Sequence, residues 1–202
     1  MRFPIHSSFA IAAFSFLLSA CSESFTDSRD GQSYDVVKIG DLTWMAENLN
    51  YATEASACPD GDSRNCKRLG RLYTWADAKT VCPEGWRLPT KADFEVLVAA
   101  RPNAGVALKS RDGWFKKGNG SDEFGFNALP AGYRGAVLKT DDGTVTGGKF
   151  DGIGGYAYFW SATEDAENRE SNAFYLFLSF SRDAASLNAF AKEDYRSVRC
   201  VR

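Results

Sequence analysis

Histidine is almost missing from this chain: His6 is the single one, and it lies in the first twenty residues. A second long apolar run is also missing, so no segment after the start of the chain has the roughly 20 apolar residues a spanning helix needs. Charge of one sign is not in excess, with 24 Lys and Arg against 26 Asp and Glu. No basic stripe forms, which argues against nucleic acid as a partner. The spacing CxxC does not occur among the five cysteines.

The first twenty residues differ from the rest. Arg2 is their only charge, and an apolar run from Phe9 to Leu18 follows. The run is too short to span a bilayer and reads as a secretory signal. It ends Leu18-Ser19-Ala20-Cys21, which resembles the bacterial lipobox. Cleavage before Cys21 and acylation of its thiol are expected, although an ordinary signal with an incidental cysteine has the same outline. Stable anchoring needs more than one acyl chain, and bacterial lipoproteins carry several. Ser22, by resemblance to lipoprotein sorting signals, points to the outer membrane of a Gram-negative cell. Removing residues 1–20 leaves 182 residues, enough for one domain, and shifts the formal charge from −2 to −3.

That removal also discards His6. Ser-His-Asp and Cys-His machinery, histidine-ligated zinc and a histidine general base are then excluded. Counting out Cys21 leaves Cys58, Cys66, Cys82 and Cys200, an even set in an exported chain, with three possible pairings. We favour Cys58–Cys66, which closes a short polar loop, and Cys82–Cys200, which ties mid-chain to the last strand. The second closes a loop of on the order of 100 residues, for about 4.7 kcal/mol in the chain-entropy model. A Cys₄ metal site is the rival, without CxxC or histidine support. Chemistry by a pair of carboxylates stays open, since it needs only two Asp or Glu side chains.

Residues 21–33 are polar and small and read as a lipidated tether. The domain then covers residues 34–202. Tyr34 to Ile39 and Leu42 to Met45 predict a hairpin turning at Gly40-Asp41. Leu72, Trp75, Ala76 and Lys79 share one helical face, predicting a helix over 72–81. A second helix is predicted after Pro89, capped by Thr90 with Asp93 in the capping box and with Phe94, Leu97 and Val98 buried. Residues 124–130 read as a short buried strand or extended loop. Residues 139–155 are glycine-rich and predict a long surface loop. Strands are expected at 156–161, 173–180 and 197–202.

Six segments resemble, in order, the Fibrobacter succinogenes major paralogous domain family. They are Trp44-Met45-Ala46-Glu47-Asn48-Leu49-Asn50-Tyr51, Gly70-Arg71-Leu72-Tyr73-Thr74-Trp75, Cys82-Pro83-Glu84-Gly85-Trp86-Arg87-Leu88-Pro89-Thr90, Gly125-Phe126-Asn127-Ala128-Leu129-Pro130-Ala131-Gly132-Tyr133-Arg134, Trp160-Ser161-Ala162-Thr163-Glu164 and Ser197-Val198-Arg199-Cys200-Val201. Arg196 departs from the pattern, since a glycine usually precedes the last block. The resemblance implies an exported surface module without an established activity. More distantly, the Trp-Arg-Leu-Pro-Thr segment and the closing strand are similar to the C-type lectin-like fold shared with formylglycine-generating enzymes. The expected class is α+β: an N-terminal hairpin, two helices, Gly-rich loops and a small antiparallel sheet. That fold makes Cys82–Cys200 its natural long-range bridge.

The ligand segments of a lectin-type calcium site, Glu-Pro-Asn and Trp-Asn-Asp, are lacking. Asp60-Gly61-Asp62 begins like an EF-hand loop, but Arg64 and Arg71 stand at positions five and twelve. No metal, cofactor or catalytic residue is therefore assigned. Trp44, Trp75, Trp86 and Trp160 lie in the family blocks and are expected in the core. Trp114, in a polar stretch, is a candidate for stacking on a sugar or else a buried loop anchor. Asp141, Asp142 and Asp151 are candidates for ligand contact or else ordinary acidic turn residues. The leading expectation is a non-enzymatic surface lipoprotein that binds polysaccharide or protein. An envelope-assembly lipoprotein with protein partners only and a carboxylate-pair hydrolase are the alternatives.

Overall fold

Gly40 and Asp41 separate two β-rich runs, and in the computed structural model, which describes residues 23–202, these runs form a hairpin. Ser33–Ile39 pairs antiparallel with Leu42–Met45, with Val37 opposite Trp44. A further strand precedes them. Glu23–Thr26 (β1) pairs with Ser33–Ile39 (β2), placing Glu23 opposite Val36. The expected tether over 21–33 is therefore corrected from Glu23 onward. Its small polar residues serve a turn instead. The buried Asp27 carboxylate accepts the Arg29 backbone N–H at 3.0 Å and the guanidinium at 2.6 Å, and Phe25 packs on Trp86 at 5.1 Å. The Leu42–Met45 strand is β3. Cys21 and the signal segment 1–20 lie outside the described residues.

The helices differ from expectation in two places. In the loop between Cys58 and Cys66 begins α1 (Ser63–Leu69), which runs past Cys66 and is capped by Asp62, whose carboxylate accepts the Arg64 N–H at 2.9 Å. The helix expected over 72–81 shrinks to one turn, α2 (Trp75–Ala78). Leu72 and Tyr73 are extended, because their N–H groups go to Ala57 and Arg196 carbonyls at 2.9 and 2.8 Å. α3 (Lys91–Ala99) starts as its sequence predicts. Thr90 and Asp93 form a reciprocal capping box, and Phe94 and Leu97 are buried. Then α4 (Ala104–Leu108) lies against residues 183–184. A Cβ on Gly105 would sit 2.6 Å from the Asp183 carbonyl oxygen, so only glycine allows this approach.

The glycine-rich region is exposed but not a plain loop. It carries β4 (Tyr133–Arg134), β5 (Val137–Lys139), β6 (Val145–Gly147) and β7 (Phe150–Asp151), paired as β4/β7 and β5/β6. Residues 124–130 form a loop and not a strand: Gly125 and Asn127 have positive φ, and only Ala128 bridges, to Lys109. The main sheet is β8 (Tyr156–Glu164), β9 (Asn172–Ser179) and β10 (Ser186–Ala191), antiparallel in the order β10-β9-β8. The expected strand at 197–202 makes only isolated bridges, but these reach three parts of the molecule: Ser197 to Phe159, and Val201 to Trp44 and to Arg87. The class is α+β.

Alternation along β8 and β9 sends Ala157, Phe159, Leu176 and Leu178 into a core with Trp44, Phe94, Leu108 and Phe126. A second cluster gathers Met45, Leu49, Tyr73, Trp75, Trp86 and Trp160. The four tryptophans of the family blocks are all buried. Disulfides join Cys58 to Cys66 and Cys82 to Cys200, with Cα atoms 4.8 and 5.8 Å apart.

Between the clusters lies Arg199, fully buried. Its Nε donates to Asn48 Oδ1 at 2.9 Å, Nη1 to the carbonyls of Met45 (3.1 Å) and Phe126, and Nη2 to the Asn127 carbonyl at 2.8 Å. Burial pulls its pKa down to about 9, so it remains a cation at neutral pH. Replacing it strands several buried oxygens at once. Arg199→Met is expected to cost roughly 3–5 kcal/mol in urea denaturation. Arg199→Lys should recover only a minor part, since one ammonium cannot reach all four oxygens. Equal stability of Arg199→Lys and the parent would refute this role.

Two buried phenols give an alkaline limit. Burial pushes Tyr34 up to about 12 and Tyr73 well above the ordinary tyrosine value. Tyr73 Oη donates to the Tyr51 carbonyl at 2.7 Å. An acid whose folded pKa is raised contributes stability that is whole below the unfolded value, about 10, and is lost as pH rises toward the folded one. Stability should therefore fall between about pH 10 and 12, with tyrosinate absorbance appearing together with unfolding. Tyr73→Phe should flatten that fall. A phenol titration complete near pH 10 with the fold intact would contradict it.

Candidate functional site

The sequence candidates do not form a site. Trp114 is 6% exposed, and its indole N–H donates to Ser110 Oγ at 2.9 Å. It is a loop anchor and cannot stack on a ligand. Its polar neighbours point outward while the ring faces Phe126 and Leu178 in the core. Asp142 sits at the exposed tip of the β5–β6 hairpin. Hydrogen bonds from Thr140 Oγ1 and the Thr144 N–H hold its carboxyl down to about 2. Asp141 is beside it, also exposed, and Asp151 lies in β7 opposite Tyr133. These are turn and edge residues. Among the described residues no three His, Cys, Asp or Glu side chains are grouped to hold a metal.

The side of the main sheet away from the Phe159–Leu178 core is different. Alternation places Tyr156, Tyr158 and the buried Trp160 there from β8, the buried Ala173 with Tyr175 and Phe177 from β9, and Ser186, Asn188 and Phe190 from β10, so one end of this face is closed by the second core cluster. The register sets Tyr158 opposite Phe177, and Asn188 opposite Tyr175. Tyr133 of β4 lies 5.3 Å from Tyr158. Tyr158 is 5.6 Å from Tyr175 and 5.1 Å from Phe177, and Tyr156 is 5.8 Å from Phe177. The row continues through Phe180 to Phe115, in steps of 6.0 and 6.4 Å. Phe190 and Phe115 are 56% and 54% exposed, and the rings between them are half-buried. The result is a continuous aromatic platform, with phenol groups along its length.

Arg196 lies at one end. It is buried, paired with Asp194 at 2.9 Å, and its guanidinium carbon is 4.2 Å from the Tyr175 ring centre and 5.0 Å from Tyr158. Here the departure from the family pattern has a physical role. No special turn is needed, since Arg196 is extended and bridges Tyr73. Its side chain instead packs among the aromatic rings on that face of the sheet. Burial raises the phenols of Tyr158 and Tyr175, against the lowering effect of Arg196, so both keep their protons at neutral pH. Neutral tyrosines offer a flat apolar ring and a hydroxyl that donates and accepts. The sequence signal for this face is Tyr at period two, in Tyr156-Ala157-Tyr158; in Tyr175-Leu176-Phe177-Leu178 the same alternation is masked, because the residues of both faces are apolar or aromatic.

A cleft of about 460 Å³ lies between β2 and residues 111–127. Asp35, Asp112, Asp122 and Arg111 line it. Burial raises the Asp122 carboxyl, although it accepts the Asn127 N–H at 2.6 Å. That bond closes a turn in which both residues have left-handed backbones, so Asp122 holds the loop that delivers the Phe126 and Asn127 carbonyls to Arg199.

No curated protein and no solved structure matches the chain. A family model, described as the Fibrobacter succinogenes major domain, matches residues 37–202. The match takes in all six blocks, the tyrosine platform and the Arg199 centre, and leaves out β1. On that span the chain belongs to the Fibrobacter succinogenes major domain family.

Proposed function

We propose that this protein is a lipid-anchored, non-enzymatic surface module of C-type lectin-like type, and that it holds a polysaccharide on the tyrosine platform of β8, β9 and β10. The observation that carries this reading is the row of partly buried aromatic rings, four of them tyrosines, on one face of the main sheet. Sugar rings present apolar C–H faces and hydroxyl rims, and tyrosine matches both. The order of hairpin, helices, small sheets and a disulfide to the last segment supports the lectin-like reading. No metal or cofactor is invoked. Placement at the outer membrane rests on the lipobox-like Cys21 and on Ser22. Only Ser22 stands between that cysteine and β1, a reach of about 7 Å at ~3.5 Å per residue, so an acylated Cys21 holds the domain against the bilayer.

A second reading, an envelope protein as partner, is favoured by the exposed Val137, Leu138 and Val145 of the β5–β6 hairpin. Retention on a panel of insoluble and gelled polysaccharides separates the two. Tyr158→Ala and Phe177→Ala should each weaken retention about tenfold, a loss of about 1.4 kcal/mol. Val137→Ser with Leu138→Ser should leave it unchanged. If the parent is retained by no polymer, or the platform variants are retained as well as the parent, the platform reading is wrong.

A further inference from the structure

A second cleft, of about 450 Å³, lies beside α1 and the β1–β2 turn, and none of its lining residues belongs to the tyrosine platform. Gln32, Asn50, Tyr51, Lys67 and Arg71 supply its chemistry, with Asp30 at the margin. The walls are fixed before any ligand arrives. Asn50 Nδ2 donates to Gln32 Oε1 at 3.0 Å, and Gln32 Nε2 donates to Asp30 Oδ2 at 2.7 Å. One face of Tyr51 is covered by the Arg29 guanidinium at 3.8 Å. Lys67 is set by the Cys58–Cys66 bridge next to it in α1. Arg71 is set by its own N–H, which reaches the Leu49 carbonyl at 3.0 Å, and by Gly70, where a Cβ would fall 2.5 Å from Asn48 Cβ.

Two polar atoms in this cleft are left over. Arg71 Nε and Asn50 Oδ1 are both buried and have no hydrogen-bond partner among the described residues. Arg71 makes one side-chain bond, Nη1 to Ser56 Oγ at 3.3 Å. Neither Lys67 nor Arg71 forms an ion pair among the described residues, whereas the deeply buried Arg196 does. An unmatched buried polar group costs about 1–3 kcal/mol, so a ligand that satisfies both gains doubly. The two atoms ask for different things. Arg71 Nε needs an acceptor, and the Lys67 and Arg71 charges that line the same cleft favour an anionic one. Asn50 Oδ1 needs a donor, which sulfate does not carry and inorganic phosphate carries only as a P–OH on the charged group itself. A hydroxylated carboxylate has both.

We propose that this cleft binds a uronic acid residue of an acidic polysaccharide. The carboxylate lies on Lys67 and Arg71, a ring hydroxyl donates to Asn50 Oδ1, and Tyr51 forms the aromatic wall. The site extends the glycan reading to a charged class of polymer but stands on residues of its own.

The test is calorimetric titration of the protein with trigalacturonate and triglucuronate, with a neutral glucose trimer and inorganic phosphate alongside. At least one uronate trimer should bind, more weakly at higher salt, and the neutral trimer should not. Lys67→Gln and Arg71→Gln should each weaken uronate binding tenfold or more. Tyr158→Ala should leave it unchanged while weakening platform retention about tenfold, so the two sites can fail separately. Lys67 is exposed, so Lys67→Gln keeps the test valid if Arg71→Gln lowers the melting temperature. Absence of binding by both uronates would overturn the proposal, as would binding indifferent to Lys67→Gln. Phosphate bound as tightly as the uronates would overturn it too, by showing a site for any oxyanion.

Discussion

A buried guanidinium without a carboxylate partner organises this fold. Arg199 is held by neutral oxygens alone, three from backbone carbonyls and one from Asn48. The four bonds join the C-terminal segment to two distant parts of the chain. Met45 ends β3 and Asn48 follows it, and Phe126 and Asn127 belong to the loop before the glycine-rich region. Three of the six family blocks therefore meet at one side chain, and the Cys82–Cys200 bridge brings in a fourth at the next residue. Blocks far apart in sequence and each weakly distinctive alone become one device. The requirement is severe, since a buried cation is tolerated only when its donors are matched. Asn48 shows how deep the matching goes: its amide donates to the Leu69 carbonyl at 2.7 Å while its oxygen faces Arg199.

The same segment explains why the platform is stiff. Arg196 and Arg199 are three residues apart on an extended chain, so their side chains leave on opposite sides. Arg199 enters the space between the core clusters. Arg196 emerges among the tyrosines, where five rings surround its charge and Asp194 neutralises it. Cation–π contact with several desolvated rings fixes ring orientation as well as adding energy. A stacking surface made from side chains already held in place loses less conformational entropy on binding. Anchoring of the core and readiness of the surface thus trace to one run of four residues, Arg196-Ser197-Val198-Arg199.

Much of this was legible in the sequence where the signal was local. Thr90 and Asp93 carry their capping box in their spacing, and Gly40-Asp41 carries its turn. The α+β class followed from those elements and from the family blocks. What was hidden depended on partners far along the chain. Leu72 and Tyr73 have helical spacing, yet they serve as extended backbone because Ala57 and Arg196 claim their N–H groups. Residues 23–33 have a linker's composition, yet Asp27 is satisfied locally by Arg29 and folds the turn. In β10, Ser186-Leu187-Asn188-Ala189-Phe190-Ala191 has little β-branched character and forms only because β9 offers its edge. Trp114 misled in the opposite way: its polar neighbours suggested exposure, but they are the rim around a buried ring.

The loss of the tether changes what kind of ligand the protein can meet. A flexible linker of thirteen residues has a root-mean-square span of about 20 Å, and would let the domain turn freely above a bilayer. A single residue between a lipidated Cys21 and β1 does not. β1 is the edge of its sheet, beside β2 only, so its N-terminal end is the part of the domain nearest the membrane on this reading. The approach of a ligand is then limited to surfaces that face away or sideways. A long polymer meets that condition better than a compact partner, because it can lie along a flat platform and reach a separate cleft with the same chain. Two weak contacts on one strand multiply through effective concentration, provided the strand spans them. In the proposed reading, neutral stacking on the tyrosines and charge reading at Lys67 and Arg71 are complementary: the first would tolerate many sugars, and the second would select among them.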